Sequence, residues 1–87
     1  MKQFLVERNL PGAENLTEAE LEDLSRSFCD AADNIDKEYS WILSYIATDK
    51  IYCVVSAESE VAVIEHAREA NIPVNIISMV KTIIAPQ

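Results

Sequence analysis

Residues 39–56 read YSWILSYIATDKIYCVVS, and this stretch decides the fold. Aromatic and β-branched residues dominate residues 39–47 and 51–56, and a short polar break, Thr48-Asp49-Lys50, separates them. That composition favours two strands, and so short a break favours an antiparallel hairpin. The sequence therefore predicts a hairpin at the centre of the chain, on which the outer elements can be placed.

A strand and a helix precede the hairpin. Residues 2–9 contain Phe4-Leu5-Val6 and predict a first strand. After the loop that contains Gly12, Thr17 and Glu20 have the spacing of a capping box, which predicts the start of a helix. The apolar stripe of that helix consists of Leu21, Leu24, Phe28, Ala31 and Ala32.

A second helix and a last strand follow the hairpin. Ser59 is a suitable N-cap, and the helix is expected to reach about Asn71, where a left-handed cap fits. Pro73 prevents its continuation. Residues 75–85 are rich in Ile and Val and predict the last strand.

The predicted order is strand, helix, strand, strand, helix, strand. This is the order of the ferredoxin-like βαββαβ sandwich, an α+β fold in which two helices cover one face of a four-stranded antiparallel sheet. Because 87 residues leave no room for a second domain, residues 1–87 are expected to form one domain.

The hairpin predicts two apolar faces for the sheet. With Asp49 and Lys50 as the turn, one face carries Ile42, Ser44, Ile46, Ile51, Cys53 and Val55. The opposite face carries Trp41, Leu43, Tyr45, Tyr52, Val54 and Ser56. We expect the helices to cover the first, aliphatic face. A bare apolar face is uncommon on a soluble monomer, so we expect a homodimer that packs sheet to sheet through the open face.

The open face also predicts a ligand cleft. Its candidate residues are Trp41, Tyr45 and Tyr52, together with Glu7, which the alternation of the first strand places on the same side. A carboxylate among aromatic rings can act as an acid or a base. The alternative is that Glu7 forms an ion pair with Arg8, Lys50 or Lys81.

Cys53 and the single histidine, His66, form a candidate site for a transition metal. Both lie about 10 Å from the turn that joins the hairpin to the second helix, so they meet if both point into the core. Sulfur and imidazole ligands suit zinc, copper or nickel. The alternative is a buried thiol and a histidine at the helix boundary, because two ligands without a C-x-x-C or H-x-x-x-H pattern are a weak metal signal.

Charge and composition exclude several classes of partner. The net charge is −8, and nine acids lie between residues 14 and 38. Without a basic stripe the chain is not expected to bind nucleic acid, and its acidic helix face does not suit a membrane surface. The single glycine excludes a glycine-rich phosphate loop. Two cysteines without a C-x-x-C motif, and no visible signal peptide, favour the cytoplasm.

Three parts of the sequence together resemble the DUF4242 family of small domains, over nearly the whole chain. They are residues 4–12 (FLVERNLPG), the strands WILSY at 41–45 and DKIYCV at 49–54, and the segment from His66-Ala67-Arg68 to Ile72-Pro73. The resemblance implies a ferredoxin-like dimer, and some family members carry a nickel-binding label. Asn71 stands where a glycine is expected at the helix end, a departure that affects a cap.

These observations lead to two main hypotheses. The first is a small dimeric binding protein whose ligand is a transition metal such as nickel, bound near Cys53 and His66. The second is a small enzyme of the dimeric α+β-barrel kind that acts on an organic molecule in the open-face cleft, with Glu7 or Tyr45 in proton transfer. A purely structural or regulatory dimer is the third option. We favour binding, because no group of residues completes a nucleophile, a base and an orienting partner.

Overall fold

The computed structural model describes residues 1–87 and confirms the ferredoxin-like order of elements. The strands are β1 (Lys2–Asn9), β2 (Tyr39–Ile46), β3 (Lys50–Ala57) and β4 (Ile76–Met79), and the helices are α1 (Glu18–Asn34) and α2 (Glu60–Ala70). The strands form one antiparallel sheet in the order β2-β3-β1-β4, with both helices on one face. Neither helix has the length and apolar character that a membrane crossing requires.

The helix ends form where the local sequence predicts them. In α1 the Glu20 N–H donates to Thr17 Oγ1 over 3.2 Å, and the Thr17 N–H donates to Glu20 Oε1 over 3.0 Å. These two bonds complete the predicted capping box. In α2 the Ser59 hydroxyl oxygen accepts from the Ala62 N–H, and Asn71 ends the helix at a φ of 56°, in the left-handed region.

The core lies between the sheet and the two helices. Its larger apolar members are Phe4, Val6, Phe28, Ile51, Val55 and Val63. Along β3 every second residue is buried, beginning with Ile51, and the residues between are half-buried. The aliphatic face predicted for this strand is therefore the face that the helices cover.

The connection between β2 and β3 is longer than predicted. Ile46 pairs with Ile51 and Ser44 pairs with Cys53, and residues 47–49 join the two strands. A two-residue turn at Asp49 and Lys50 predicts that Ile46 faces Cys53, so the observed pairs are displaced by two residues along β3. A shift of two keeps each side chain on its face, and Ser44 and Ile46 stay on the helix side as predicted.

A β-bulge corrects the predicted position of Trp41. The register shifts between Trp41 and Leu43, which adds one residue to β2 and reverses its alternation towards the start of the strand. Trp41 pairs with Val55 on the helix side, where its ring meets Phe28 edge-on with 5.2 Å between centroids. The prediction that Trp41 lies on the open face and Ile42 in the core is wrong, because one extra residue exchanges the two faces.

The last strand is shorter than predicted. It covers Ile76–Met79, whereas the sequence predicts residues 75–85. Its neighbour in the sheet is β1, which begins at Lys2, and the Val80 N–H still donates to the Gln3 carbonyl. In the same register residue 82 lies beyond Lys2, the first residue of β1, so residues from 82 onward have no strand to pair with.

The open face of the sheet is largely apolar, as predicted. Cross-strand pairing places Leu43, Val54, Leu5 and Ser78 in one row across the four strands. The next row consists of Tyr45, Tyr52, Glu7 and Ile76. Neither helix covers these side chains, because both helices lie on the opposite face.

Candidate functional site

Arg8 is a buried arginine without a carboxylate partner. It follows Phe4 and Val6 on the helix side of β1 and is fully buried. Its Nε donates to Cys53 Sγ over 3.3 Å, and its Nη1 donates to the Pro73 carbonyl over 3.1 Å. Nη2 has no hydrogen-bond partner, and none of the ion pairs of the chain includes Arg8. The core therefore holds a positive charge whose hydrogen-bond partners are a sulfur atom and a carbonyl oxygen.

Cys53 Sγ accepts hydrogen bonds from two sides. Trp41 Nε1 donates to Ser44 Oγ over 2.9 Å, and the Ser44 hydroxyl in turn donates to Cys53 Sγ, also over 2.9 Å. Arg8 reaches the same sulfur from β1. The bulge that turns Trp41 towards the helices thus also completes a chain of donors that ends on the thiol.

His66 has one ring nitrogen bound and one free. Its Nε2 lies 2.9 Å from the Phe28 carbonyl oxygen, which can only accept, so Nε2 carries the hydrogen and Nδ1 offers a lone pair. Nδ1 is buried and has no partner. Burial lowers the pKa of His66 below its ordinary value of 6.5, while the Phe28 carbonyl opposes this shift and the charge of Arg8 adds to it. The imidazole is therefore neutral at pH 7.

Tyr39 joins the same group of side chains. Its ring stacks on His66 with 3.9 Å between centroids, and its buried hydroxyl has no hydrogen-bond partner. Burial raises the pKa of Tyr39, and the charge of Arg8 partly opposes that shift. The guanidinium carbon of Arg8 also lies 5.5 Å from the centroid of Phe28, a cation–π contact. We call this group the Arg8 cluster; it consists of Arg8, Tyr39, Ser44, Cys53 and His66.

Three of the four residues predicted for a ligand cleft stand in one row on the open face. Glu7 of β1 pairs with Tyr52 of β3, and Tyr52 pairs with Tyr45 of β2. Tyr45 is the most exposed of the three, at 62 %. Lys50 Nζ lies 3.6 Å from Glu7 Oε1, which matches the ion-pair alternative for this carboxylate. Trp41, the fourth candidate, lies on the other side of the sheet.

The two candidate metal ligands lie in the same core. Cys53 and His66 are both fully buried on the helix side. No three His, Cys, Asp or Glu side chains of the chain come together closely enough to hold an ion. The charged group that stands beside both residues is Arg8, a cation. Their role as metal ligands stays a prediction.

Arg8 is the charged member of this cluster, and the sequence does not mark it as a site residue. Alternation along β1 places Phe4, Val6 and Arg8 on one face, and the first two are core residues. The same alternation directs Glu7 to the opposite face, so the two neighbours do not pair. The strand pattern therefore contains the signal for a buried Arg8. The expected ion pair between Arg8 and Glu7 does not fit this pattern, because the two side chains lie on opposite faces.

A solved structure shares the fold of this chain. The crystal structure of SCO4226 from Streptomyces coelicolor A3(2) matches it with a TM-score of 0.79 at 18 % sequence identity. The match covers 94 % of this chain and 99 % of that one. At this identity the likeness concerns the fold. No curated protein sequence matches the chain.

A family match identifies the group of proteins to which the chain is related. Residues 4–80 match the family described as nickel responsive protein SCO4226-like. The match includes both helices and extends through β4. This family is related to DUF4242, the family that the sequence resembles. The chain therefore belongs to the SCO4226-like family of nickel responsive proteins.

Proposed function

We propose that this chain is a nickel-responsive protein that binds the ion directly through His66 and acts as a homodimer. The name of its family describes a response to nickel. Imidazole is among the ligands that suit nickel in proteins. His66 is the first residue to consider, because it is the single histidine of the chain.

The state of the His66 ring carries this proposal. A histidine that binds a metal is neutral, and it usually donates its second ring N–H to a carbonyl or a carboxylate. His66 meets both conditions, because burial keeps the ring neutral and the Phe28 carbonyl accepts from Nε2. The Nδ1 lone pair is the remaining coordination point, and it has no partner in the chain.

The other donor atoms of the Arg8 cluster fit nickel less well. Cys53 Sγ is a soft ligand of the right kind, but Arg8 and Ser44 already donate to it. The charge of Arg8 opposes a metal ion at Cys53 and at His66 alike, but the sulfur already accepts two hydrogen bonds, whereas His66 Nδ1 has no partner. Tyr39 supplies a neutral hydroxyl. His66 is therefore the group that fits, with the further ligands expected from water or from groups outside the cluster.

The open sheet face supports the homodimer. Its first row combines Leu5, Val54 and Leu43, of which Leu43 is 39 % exposed, and the aromatic rings of Tyr45 and Tyr52 lie in the next row. A contiguous apolar face is uncommon on a soluble monomer. A second copy that packs through the same face would remove both apolar faces from water.

Calorimetric titration with nickel tests the direct contact. Wild type is compared with His66→Gln and Cys53→Ser, with Cys29→Ser as the control at an exposed thiol. The expected result is a loss of affinity of about tenfold or more for His66→Gln and no change for Cys29→Ser. Circular dichroism establishes that each variant is folded. Equal affinity in wild type and His66→Gln would overturn the assignment, and a loss confined to Cys53→Ser would move the contact to the sulfur.

Sedimentation equilibrium tests the homodimer. Wild type is expected at twice the chain mass at micromolar concentration. Leu43→Glu places a charge on the open face and is expected to give a monomer, while Val61→Glu, at an exposed position on α2, is expected to remain a dimer. A wild-type monomer, or equal dissociation of both variants, would contradict packing through the open face.

A further inference from the structure

Three buried polar atoms of the Arg8 cluster have no hydrogen-bond partner. They are Arg8 Nη2, the Tyr39 hydroxyl and His66 Nδ1, and no other buried side-chain nitrogen or oxygen of the chain shares this condition. Arg8 and His66 are fully buried, and Tyr39 is 9 % exposed. Buried polar groups in proteins nearly always have a partner, because a missing one lowers the stability of the fold. Three such atoms in one cluster therefore indicate a molecule that satisfies them together.

The side chains that carry these atoms lie against one another beside Phe28. The Arg8 guanidinium carbon lies 5.5 Å from the centroid of the Phe28 ring, and the centroid of the His66 ring lies 5.8 Å from the same point. The Tyr39 ring stacks on His66 with 3.9 Å between centroids. Burial raises the pKa of Tyr39 and the guanidinium of Arg8 opposes that shift, which places the hydroxyl near the guanidinium. The three atoms therefore share one small region of the core.

The hydrogen-bonding capacities of the three atoms are complementary. Arg8 Nη2 can only donate. The Phe28 carbonyl accepts from His66 Nε2, so Nδ1 of the neutral ring can only accept, and the Tyr39 hydroxyl can do either. A direct hydrogen bond from Arg8 to Nδ1 would satisfy both groups, but neither atom has a partner. A molecule that bridges them has to accept from Arg8 and donate to His66.

We propose that one buried water molecule bridges Arg8 Nη2, the Tyr39 hydroxyl and His66 Nδ1. The water oxygen accepts from the guanidinium, and one of its hydrogens is donated to Nδ1. A lone pair and a second hydrogen remain for the Tyr39 hydroxyl. Buried waters in globular proteins make about three hydrogen bonds to groups that are otherwise unsatisfied. Both the number of partners and their kinds therefore fit water.

Ions satisfy these three atoms less completely than water does. A small anion accepts from Arg8 and from Tyr39, but it has no hydrogen to donate to His66 Nδ1. A metal ion binds the Nδ1 lone pair, but it offers no acceptor to Arg8 Nη2. A water molecule gives every atom a partner and adds no charge to a core that already holds the guanidinium.

Nickel and the water compete for the same lone pair of His66, a consequence that rests on the function proposed above. An ion that binds Nδ1 displaces the water from this atom. Arg8 Nη2 and the Tyr39 hydroxyl then lose the partner that satisfied them. The bridge therefore lowers the affinity of His66 for nickel, and a variant that holds the water less tightly is expected to bind the ion more tightly.

A crystal structure of wild type at a resolution that shows ordered water tests the bridge directly. We expect one oxygen atom within about 2.7–3.2 Å of each of the three atoms. A crystal soaked in bromide is expected to show no anomalous peak at this position, because the site takes water rather than an anion. A site without electron density, or one that takes up bromide, would overturn the inference.

Tyr39→Phe tests the bridge in solution, because the water decides the sign of its effect on stability. When water bonds the hydroxyl, the variant loses one hydrogen bond, and the equilibrium constant for unfolding is expected to rise about fivefold. Removal of a hydroxyl that is buried without a partner would instead stabilise the fold. Urea unfolding measures the difference, and a variant that is as stable as wild type or more stable would contradict the bridge.

Calorimetric titration of Tyr39→Phe with nickel separates this inference from the proposed function. The variant is expected to bind nickel about fivefold more tightly than wild type, because the displaced water has one hydrogen bond fewer. Failure of nickel to bind either protein would overturn the proposed function alone, since the crystal structure and the unfolding experiment need no nickel. Equal affinity in the two proteins, beside an observed water, would overturn the competition.

Discussion

The Arg8 Nε donates a hydrogen bond to Cys53 Sγ over 3.3 Å, between two fully buried side chains. An arginine stays protonated even when it is buried, so this contact holds a full charge inside the fold. The other partners of the guanidinium are the Pro73 carbonyl and the Phe28 ring. Burial of a charge without a counterion lowers the stability of the fold by several kcal/mol. The charge of Arg8 therefore adds little to the stability of the fold or lowers it, whereas its side chain stabilises the fold by filling space in the core.

Arg8→Lys is expected to destabilise the fold more than Arg8→Met. Lysine keeps the charge but cannot donate to both the sulfur and the carbonyl from one planar group, so a loss of about 3 kcal/mol is expected. Methionine removes the charge together with its cost and fills part of the same space, so a loss of about 1 kcal/mol is expected. Urea unfolding followed by circular dichroism measures both values.

An exposed arginine provides the matched control for Arg8. Arg26 forms a surface ion pair with Asp23 over 3.0 Å, and both side chains are well exposed. Arg26→Met is expected to change the free energy of unfolding by no more than about 0.5 kcal/mol. If Arg8→Met proved the less stable of the two Arg8 variants, the charge would be a net stabilising element and the interpretation of the cluster would be wrong.

The neutral His66 predicts a loss of stability in mild acid. In the unfolded chain the imidazole takes up a proton near its ordinary pKa of 6.5, whereas burial lowers the pKa in the folded chain. Between these two values the unfolded state binds more protons. The free energy of unfolding therefore falls as the pH falls below 6.5, by no more than about 1.4 kcal/mol per pH unit from this one group.

Urea unfolding at pH 7.5 and at pH 5.5 measures this dependence, with His66→Gln as the control. The variant keeps every carboxylate, so it retains the part of the pH dependence that the acids contribute. Its free energy of unfolding is expected to change less between the two pH values than that of wild type. The same change in both proteins would show that His66 is not a buried neutral group.

The helix caps and the order of elements could be predicted from the sequence because they depend on local interactions. Thr17 and Glu20 are three residues apart, and their reciprocal hydrogen bonds need no other part of the chain. The left-handed cap at Asn71 depends equally on local geometry. Such features repeat wherever the same short pattern occurs, so the sequence alone contains the evidence for them.

The position of Trp41 could not be predicted, because a bulge is a property of two strands together. One extra residue between Trp41 and Leu43 exchanges the faces of the sheet, and no residue type in β2 requires it. The hydrogen bond from Trp41 to Ser44 depends on that bulge. Ser44 and Arg8, the two groups that donate to the thiol, instead follow from simple alternation along β2 and β1.

The two cysteines are expected to react at very different rates. Cys29 is exposed on α1, whereas Cys53 is fully buried beneath Ser44 and Arg8. A thiol reagent needs access to the sulfur, so the native chain is expected to show one fast thiol and a second that reacts only on unfolding. Cys29→Ser is expected to remove the fast reaction. A fast thiol in native Cys29→Ser would contradict the buried position of Cys53.

Glycine substitutions at two helix ends are expected to act in opposite directions. Asn71 has a φ of 56°, which glycine adopts without the steric cost of a Cβ atom, so Asn71→Gly is expected to raise the free energy of unfolding by up to about 1 kcal/mol. Asn34 is the last residue of α1, and the cap after it, Ile35, has a φ of −93°. Asn34→Gly therefore gains nothing from left-handed geometry and is expected to lower stability by about 0.5 kcal/mol. Thermal and urea unfolding compare the two variants. A lower free energy of unfolding in both would mean that the Asn71 side chain stabilises the cap by more than its backbone strain destabilises it.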